Sequence, residues 1–233
     1  MKRYIVGFAA LFLCLACLAG GANAGFLDKI LKKGPSDEKI AAGLKEALHI
    51  GTENTVNLTG RTDGYFGNPA IKILMPEKML KAEKTMRKLG LDRQVDEFVL
   101  SMNRAAEKAA PFARDIFWGA IKEMTFQDVR KIWKGKDTEA TEYFRSKTYD
   151  KLYGAFHPQV SQAMDEVGVT RQYKALEKKI KSIPFIEVET VDIDRYVVEK
   201  ALGGLFNVLG DEERKIREDP AARVTELLRE IFG

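Results

Sequence analysis

The sequence predicts an all-α protein with a single helical-bundle-like domain, and it leaves room for a minor short two-stranded element. Three observations support this fold class. Apolar residues recur at helical spacing along most of the chain. Capping residues, glycines and prolines divide that pattern into segments of ordinary helix length. The only cysteines, Cys14 and Cys17, lie near the N-terminus, so an apolar core rather than a disulfide framework must stabilise the rest.

The first 24 residues have the pattern of an export signal. The pair Lys2-Arg3 forms a short basic region, and the stretch from Ile5 to Leu18 is largely apolar. Ala22-Asn23-Ala24 then supplies the small residues that a signal peptidase requires, so we expect cleavage at this point and a periplasmic location. Lipid anchoring at Cys17 is a weaker alternative, because no leucine stands three places before this cysteine.

Composition bounds the remainder of the chain. We expect residues 25–35 to form an N-terminal arm and residues 36–233 to form a single α-helical domain. The chain holds 38 Lys and Arg against 34 Asp and Glu, and the two signs are mixed along it. This pattern favours a solvated surface over a basic stripe for nucleic acid or anionic lipid. No segment after the signal approaches the roughly 18 consecutive apolar residues of a membrane span, so we expect no transmembrane segment after cleavage.

Boundary signals divide the domain into a series of helices. Ser36 or Asp37 can cap the first helix, and Asp192 or Asp194 can cap a long helix near the C-terminus. The predicted helices cover residues 36–59, 76–90, 92–123, 125–135, 138–153, 170–182, 192–217 and 221–232.

Two prolines and two extended stretches interrupt this helical pattern. We expect Pro111 to kink or split the third predicted helix, and Pro158 to break the chain or start a new helix after the fifth. Residues 71–74 and 185–191 are compatible with short extended segments, which would supply the minor two-stranded element.

The third predicted helix carries a narrow polar stripe at the edge of its apolar face. Its four members, at spacings of +7, +4 and +7, are Asp96, Asn103, Glu107 and Arg114. On a straight helix this spacing places all four within roughly 20° of one line. Such a stripe can line a polar pocket and orient a ligand, which makes these four residues candidate ligand-binding residues. The alternative is a boundary network that orients neighbouring helices or caps loops.

The loop after the first helix supplies a second group of candidate ligand-binding residues. It combines glycines with four polar side chains: Arg61, Asp63, Tyr65 and Asn68. Functional loops on rigid scaffolds have this composition, but glycine-rich connections between helices have it as well. No Gly-Lys-Ser/Thr sequence follows, which excludes a phosphate-binding P-loop.

Titratable residues show no recognised catalytic or metal-binding pattern. His49 and His157 are the only histidines, and neither stands at the spacing of a zinc motif. The charged run over residues 212–217 is typical of a solvated helix face. We therefore expect no metal site, no cofactor and no catalytic residue that the sequence can name.

Two adjacent glycines, Gly203 and Gly204, stand within the long helix near the C-terminus. Each costs about 1 kcal/mol relative to alanine in a helix. They therefore indicate either close approach of another element or room for an apolar ligand. The large aromatic residues fit both interpretations, because they can fill a core or line a cavity; they include Phe117, Trp118, Trp133, Phe144, Phe156 and Phe206.

Six blocks of the sequence carry a resemblance to a known family, and they occur in order over residues 43–48, 63–69, 101–109, 140–145, 201–206 and 216–223. Together they resemble the bacterial domain of unknown function 4197 family. Gly203 stands where the family pattern has aspartate, so any chemical role of that acid would be absent here. The resemblance implies an exported, mostly helical envelope protein, and it implies no activity and no catalytic residue.

These observations predict an exported periplasmic or cell-envelope protein that binds an apolar small molecule or an envelope partner without catalysis. One alternative is a hydrolase-type enzyme that uses carboxylates as acid and base, such as Glu107 with Asp96 or Asp63. Another alternative is a purely structural envelope component. Nucleic acid is not an expected partner, because the charges of the chain are mixed.

Overall fold

The computed structural model describes residues 36–166, 168–182 and 191–233. Within these ranges every regular element is helical and no strand occurs, which confirms the all-α prediction. The α-helices are α1 (Asp37–Gly60), α2 (Leu80–Lys88), α3 (Asp92–Ala109), α4 (Ala113–Glu123), α5 (Phe126–Lys134), α6 (Glu139–Glu166), α7 (Val169–Lys181), α8 (Ile193–Glu218) and α9 (Glu226–Phe232). Short 3-10 helices cover Glu77–Met79, Ala110–Phe112 and Pro220–Ala222. The predicted signal and N-terminal arm lie outside the described residues.

Local sequence signals account for most of the helix ends. Thr125 and Asp128 form a reciprocal capping box at the start of α5, in which each side chain accepts the other's backbone N–H. The Asp192 carboxylate accepts the backbone N–H of Arg195 at the start of α8. Gly90 follows α2 with a φ of +73°, a conformation that glycine adopts without strain.

The two prolines have different effects. Pro111 separates α3 from α4 through a 3-10 turn, as predicted. Pro158 does not break α6, and the predicted break there is wrong. Pro158 lies on the exposed side of the helix, where water can reach the Gly154 carbonyl that it leaves without a helical partner. Phe156 and Val160 are fully buried on either side of it, so core packing holds both flanking turns in one helix.

Asp37–Gly233 forms one compact unit whose core lies between α1, α3, α4, α6 and α8. Phe117, Phe144 and Phe206 come from three of these helices, and the Phe117 ring lies 5.4 and 6.1 Å from the other two rings. A small apolar pocket lined partly by Phe144 measures about 20 Å³, which is room for about one water molecule. The aromatic residues at this centre therefore fill a core rather than wall a ligand cavity.

Within the described residues the predicted extended stretch at residues 71–74 pairs with no strand: residue 71 lies in a turn, and residues 72–75 have no regular secondary structure. Its side chains alternate, because Ile71, Ile73 and Met75 are buried while Leu74 is exposed. The Asn103 amide takes the place of a neighbouring strand: it donates to the Ile73 carbonyl and accepts the Ile73 N–H, both at 2.8 Å. One side chain therefore satisfies the backbone that a second strand would pair. The predicted stretch at 185–191 lies outside the described residues, except for Val191.

The start of α6 depends on a residue distant in sequence. The Glu213 carboxylate on α8 accepts the backbone N–H groups of Ala140 and Thr141 at 3.0 and 2.9 Å. It also pairs with Arg217 at 2.9 Å. Glu212 and Glu213 are both buried, so the interpretation of residues 212–217 as a solvated face is wrong for these two. The Glu213 carboxylate can be buried because it accepts backbone hydrogen bonds and pairs with Arg217.

Candidate functional site

The centre of the predicted polar stripe is a buried carboxylate. Glu107 Oε1 accepts the backbone N–H groups of Tyr65 and Phe66, each at 3.1 Å. Glu107 Oε2 accepts from Arg104 Nη1 at 2.6 Å. The structure therefore brings Glu107 of the stripe together with the loop after α1, which also held candidate residues. The carboxylate anchors that loop to α3.

Arg104 joins this carboxylate to a second one at the surface. Its Nη2 donates to Asp63 at 2.7 Å while its Nη1 donates to Glu107. These bonds, led by the one to Glu107, raise the pKa of Arg104. Asp63 itself has a φ of +62°, which is rare for a residue with a side chain. A Cβ at the next position, Gly64, would lie 2.5 Å from the Leu58 carbonyl oxygen, so only glycine fits there.

Tyr65 is part of the core rather than of an open site. Its side chain is fully buried, and its hydroxyl donates to the Ala201 carbonyl at 2.7 Å. Burial, with a smaller effect of the Glu107 charge, raises the pKa of Tyr65. The ring packs so close to α8 that a Cβ at Gly204 would lie 2.7 Å from it. Close approach therefore explains Gly204, whereas Gly203 faces open space.

The other members of the stripe are distributed between the core and two surface ion pairs. Asn103 is fully buried against Ile73, as described above. Asp96 accepts from Arg87 at 2.9 Å, and Arg114 donates to Glu53 at 3.0 Å. The four residues thus do not converge on one pocket. Most of the stripe serves as the boundary network that the sequence analysis gave as the alternative.

Three loop candidates border a polar cleft of about 280 Å³ beside Val208. They are Arg61, Asp63 and Asn68. The Asn68 side chain accepts the Ala70 N–H within the loop. The Arg61 side chain is exposed and has no hydrogen-bond or ion-pair partner within the described ranges. This opening, the Arg61 cleft, is where the loop candidates can meet a ligand, and their binding role stays a prediction.

A larger opening lies beside Phe66 of the same loop. It measures about 430 Å³ and is lined by Phe66, Lys72, Leu74, Met75, Leu80, Glu83, Arg87, Asp96 and Val99. We call it the Leu74 cleft. Leu74 is 59% exposed and Leu80 is 41% exposed, which is unusual for two large apolar side chains that share one concave surface. Asp96 is the one residue of this set that the sequence pattern had indicated as a candidate site residue.

The charged side chains of the Leu74 cleft differ in their partners. Arg87 donates to Glu83 and Asp96 at 3.0 and 2.9 Å, and hydrogen bonding to Asp96 is the largest of the effects that raise its pKa. Lys72 Nζ lies 3.8 Å from the centroid of the Phe66 ring. Among the residues that the structure describes, no carboxylate pairs with Lys72. Lys72 is therefore the cation of this cleft that can take an added anion.

The carboxylates proposed as acid and base do not form an open pair. Asp96 and Glu107 are eleven residues apart on α3, which corresponds to about 16 Å of helix rise. Asp63 and Glu107 share one guanidinium, an arrangement typical of a structural ion-pair network. All hydrogen bonds described for Glu107 go to the loop and to Arg104, so it presents no free oxygen to a cleft.

Other classes of site are not evident in the described ranges. No group of three or more His, Cys, Asp or Glu side chains there is arranged to hold a metal ion. His49 instead stacks on Trp118, with ring centroids 4.4 Å apart. No helix among these residues combines the length and apolar character needed to cross a membrane.

Comparison with known proteins identifies a family without an assigned activity. Neither the curated proteins nor the solved structures contain a match to this chain. The family model described as "Protein of unknown function (DUF4197)" matches residues 34–233, which include all of the described helices. The chain therefore belongs to the DUF4197 family.

Proposed function

We propose that this protein is exported to the cell envelope and there binds an apolar ligand with one anionic end, without catalysing a reaction. The observation that carries this proposal is the Leu74 cleft, where Leu74 and Leu80 stay exposed inside a concave surface. Apolar side chains of this size are normally buried, and their exposure in a cleft is typical of a binding site.

The volumes favour this cleft over the interior of the bundle. The apolar pocket beside Phe144 is about 20 Å³, whereas the Leu74 cleft is about 430 Å³. Sites for small molecules commonly measure about 300–1,000 Å³. An apolar ligand therefore fits against the surface of α2 and α3 without opening the core.

The charges at the rim favour an anionic end on the ligand. Arg87 is already bound by Glu83 and Asp96, so it adds little attraction for a further anion. Lys72 has only the face of Phe66 beside it in the described part of the chain. An acyl chain against Leu74, Met75 and Leu80 would place a carboxylate or phosphate within reach of Lys72.

Three other functions make different demands on the cleft: binding of an envelope protein, catalysis and a purely structural role. An envelope partner that inserts an apolar side chain would use the same two leucines. An enzyme would need a free acid or base, and the buried carboxylate Glu107 already accepts three hydrogen bonds from the loop and Arg104. A purely structural role would leave the cleft without a ligand of its own.

Titration with dodecanoate tests the proposal, with binding followed by calorimetry. We expect saturable binding at one site, and Leu74→Gln should weaken it about tenfold because it removes most of one buried leucine contact. Leu89→Gln is the matched control, since Leu89 is 58% exposed and does not line the cleft. The control should bind as the unmodified protein does.

A second comparison tests the anionic end. The unmodified protein should prefer dodecanoate over dodecanol, and Lys72→Met should remove that preference. Equal loss of binding in the Leu74 and Leu89 variants would contradict the assignment of the site.

Native mass spectrometry of protein from its own envelope would identify the natural ligand. An envelope protein retained there in place of a small molecule would favour the partner alternative.

A further inference from the structure

Helix α7 presents an outer face made almost entirely of cations. Its exposed residues are Arg171, Lys174, Ala175, Lys178, Lys179 and Lys181. Four of the cations follow one another at spacings of three, four and three residues, so they lie in a row along one side of the helix. This row is about 15 Å long, from the rise of a helix per residue.

The opposite face of α7 packs on the domain, which fixes the orientation of the row. The Tyr173 ring lies 6.0 Å from the Phe98 ring of α3. The Gln172 side chain accepts from Ser101 of α3 at 3.2 Å. With these residues turned inward, the cations of the outer face must point to solvent.

The net charge of this helix is strongly positive. α7 has five Lys or Arg and one acid, Glu177, which pairs with Lys181 at 2.7 Å. Its net charge equals the formal +4 of the whole 233-residue chain, so the remaining residues sum to zero. The expectation that charges are mixed everywhere is therefore wrong for this helix. Arg171, Lys174, Lys178 and Lys179 have no carboxylate partner in the described residues.

We propose that the outer face of α7 binds the anionic headgroups of a lipid bilayer. A row of cations on a convex helix, without a cleft, suits an extended charged surface better than a single small anion. Four of the five cations are lysines, whose flexible point charges fit a diffuse field and do not require the planar geometry of arginine pairs. The contact is peripheral and electrostatic.

Vesicle sedimentation tests this proposal on the chain from Gly25 to Gly233, which contains the whole compact unit. The vesicles are phosphatidylcholine alone or a mixture with the anionic lipid phosphatidylglycerol. We expect binding only to the anionic vesicles, and added salt should weaken it. The triple variant R171Q/K174Q/K178Q should bind more weakly by on the order of a hundredfold, at roughly fivefold per cation.

A second triple variant removes the same charge elsewhere. K122Q/K136Q/K200Q takes three exposed lysines from other parts of the chain and should keep most of the binding. Equal losses in the two triple variants would show that only net charge matters and would overturn the assignment to α7. Equal binding to both kinds of vesicle, or to neither, would also overturn it. Capture by soluble polyglutamate without vesicle binding would assign the face to an acidic protein and contradict the proposal.

Discussion

Glu107 and Glu213 are two buried carboxylates in different regions that form the same local arrangement. Each accepts two consecutive backbone N–H groups from a distant segment, Glu107 from residues 65 and 66 and Glu213 from residues 140 and 141. Each also pairs with an arginine on its own helix, Arg104 and Arg217 respectively. The hydrogen-bonding arrangement is the same, but Glu107 holds a loop and Glu213 holds the start of a helix.

The surroundings of the two pairs differ. The Arg217 side chain is 14% exposed and also donates to the Ile132 carbonyl. The Arg104 side chain is 29% exposed and also reaches Asp63 at the surface. The Glu213 pair therefore belongs to the core, whereas the Glu107 pair extends to the surface through Asp63. A buried ion pair is costly to break when the remaining charge stays buried, so the two should respond differently to substitution.

The largest effect is expected for Glu213→Ala. The substitution removes the cap of α6 and leaves Arg217 without its carboxylate, which should lower the free energy of unfolding by about 3–5 kcal/mol. Urea denaturation measures this change in the free energy of unfolding. Glu218→Ala, an exposed change further along α8, is the control and should change stability by less than about 0.5 kcal/mol. Similar effects of the two would contradict the assigned role.

Glu107→Gln should have a smaller and more local effect. Glutamine keeps an acceptor for the loop but loses the charge that Arg104 pairs with, so we expect a loss of about 1.5–3 kcal/mol. Hydrogen exchange of the Tyr65 and Phe66 amides should accelerate more than that of amides in α6. Uniform acceleration through the domain would instead place Glu107 in the same global role as Glu213.

Packing of the loop can be tested at two neighbouring glycines. Gly204→Ala puts a Cβ 2.7 Å from the Tyr65 ring and should destabilise the protein by about 1–3 kcal/mol. Gly203→Ala meets nothing within 4 Å and should stabilise it by up to about 1 kcal/mol through helix propensity. Thermal unfolding of both variants should therefore shift in opposite directions. Shifts in the same direction would show that the loop adapts to the added methyl group.

The smallest effect is expected for substitutions in the capping box of Thr125 and Asp128. This cap is formed by neighbours in the chain, whereas Glu213 caps α6 from a distant position. Thr125→Ala should cost about 1 kcal/mol at neutral pH. Hydrogen bonds from Thr125 hold the pKa of Asp128 below its ordinary value of 3.8. The stabilisation by this carboxylate is therefore present above pH 3.8 and is lost as the pH falls through the lowered pKa.

Urea denaturation of the unmodified protein and of Asp128→Asn, followed from about pH 6 to about pH 3, tests that dependence. The difference between the two should shrink as the pH falls. A constant difference would mean that the Asp128 charge contributes nothing to the cap.

The sequence predicted features that depend on neighbours in the chain and missed features that depend on distant ones. The capping box at Thr125, the end at Gly90 and the split at Pro111 are local, and the structure confirms them. Continuity through Pro158 depends on core contacts of α6, and burial of Glu213 depends on the start of another helix. Neither fact is encoded by spacing within a single segment.

The candidate site shows the same limit. The spacing of the stripe singled out Asn103 and Glu107, both of which are buried and bonded to distant backbone. Spacing gave no indication of what they contact, because those contacts come from the loop and from Ile73. The sequence did not predict the Leu74 cleft, for a related reason. Exposure of Leu74 and Leu80 follows from how two separate segments pack, and hydropathy alone assigns leucines to the core.

The contact of Asn103 with Ile73 sets the register of the extended segment around it. A side-chain amide that both donates to and accepts from one residue fixes which residues of that segment face inward. A slip of a single residue would turn every side chain to the opposite face, so that Leu74 would enter the core and Ile73 would face solvent. Asn103 thus determines the chemistry of a cleft that it does not line. A substitution at this buried amide can therefore change the cleft without altering any residue that lines it.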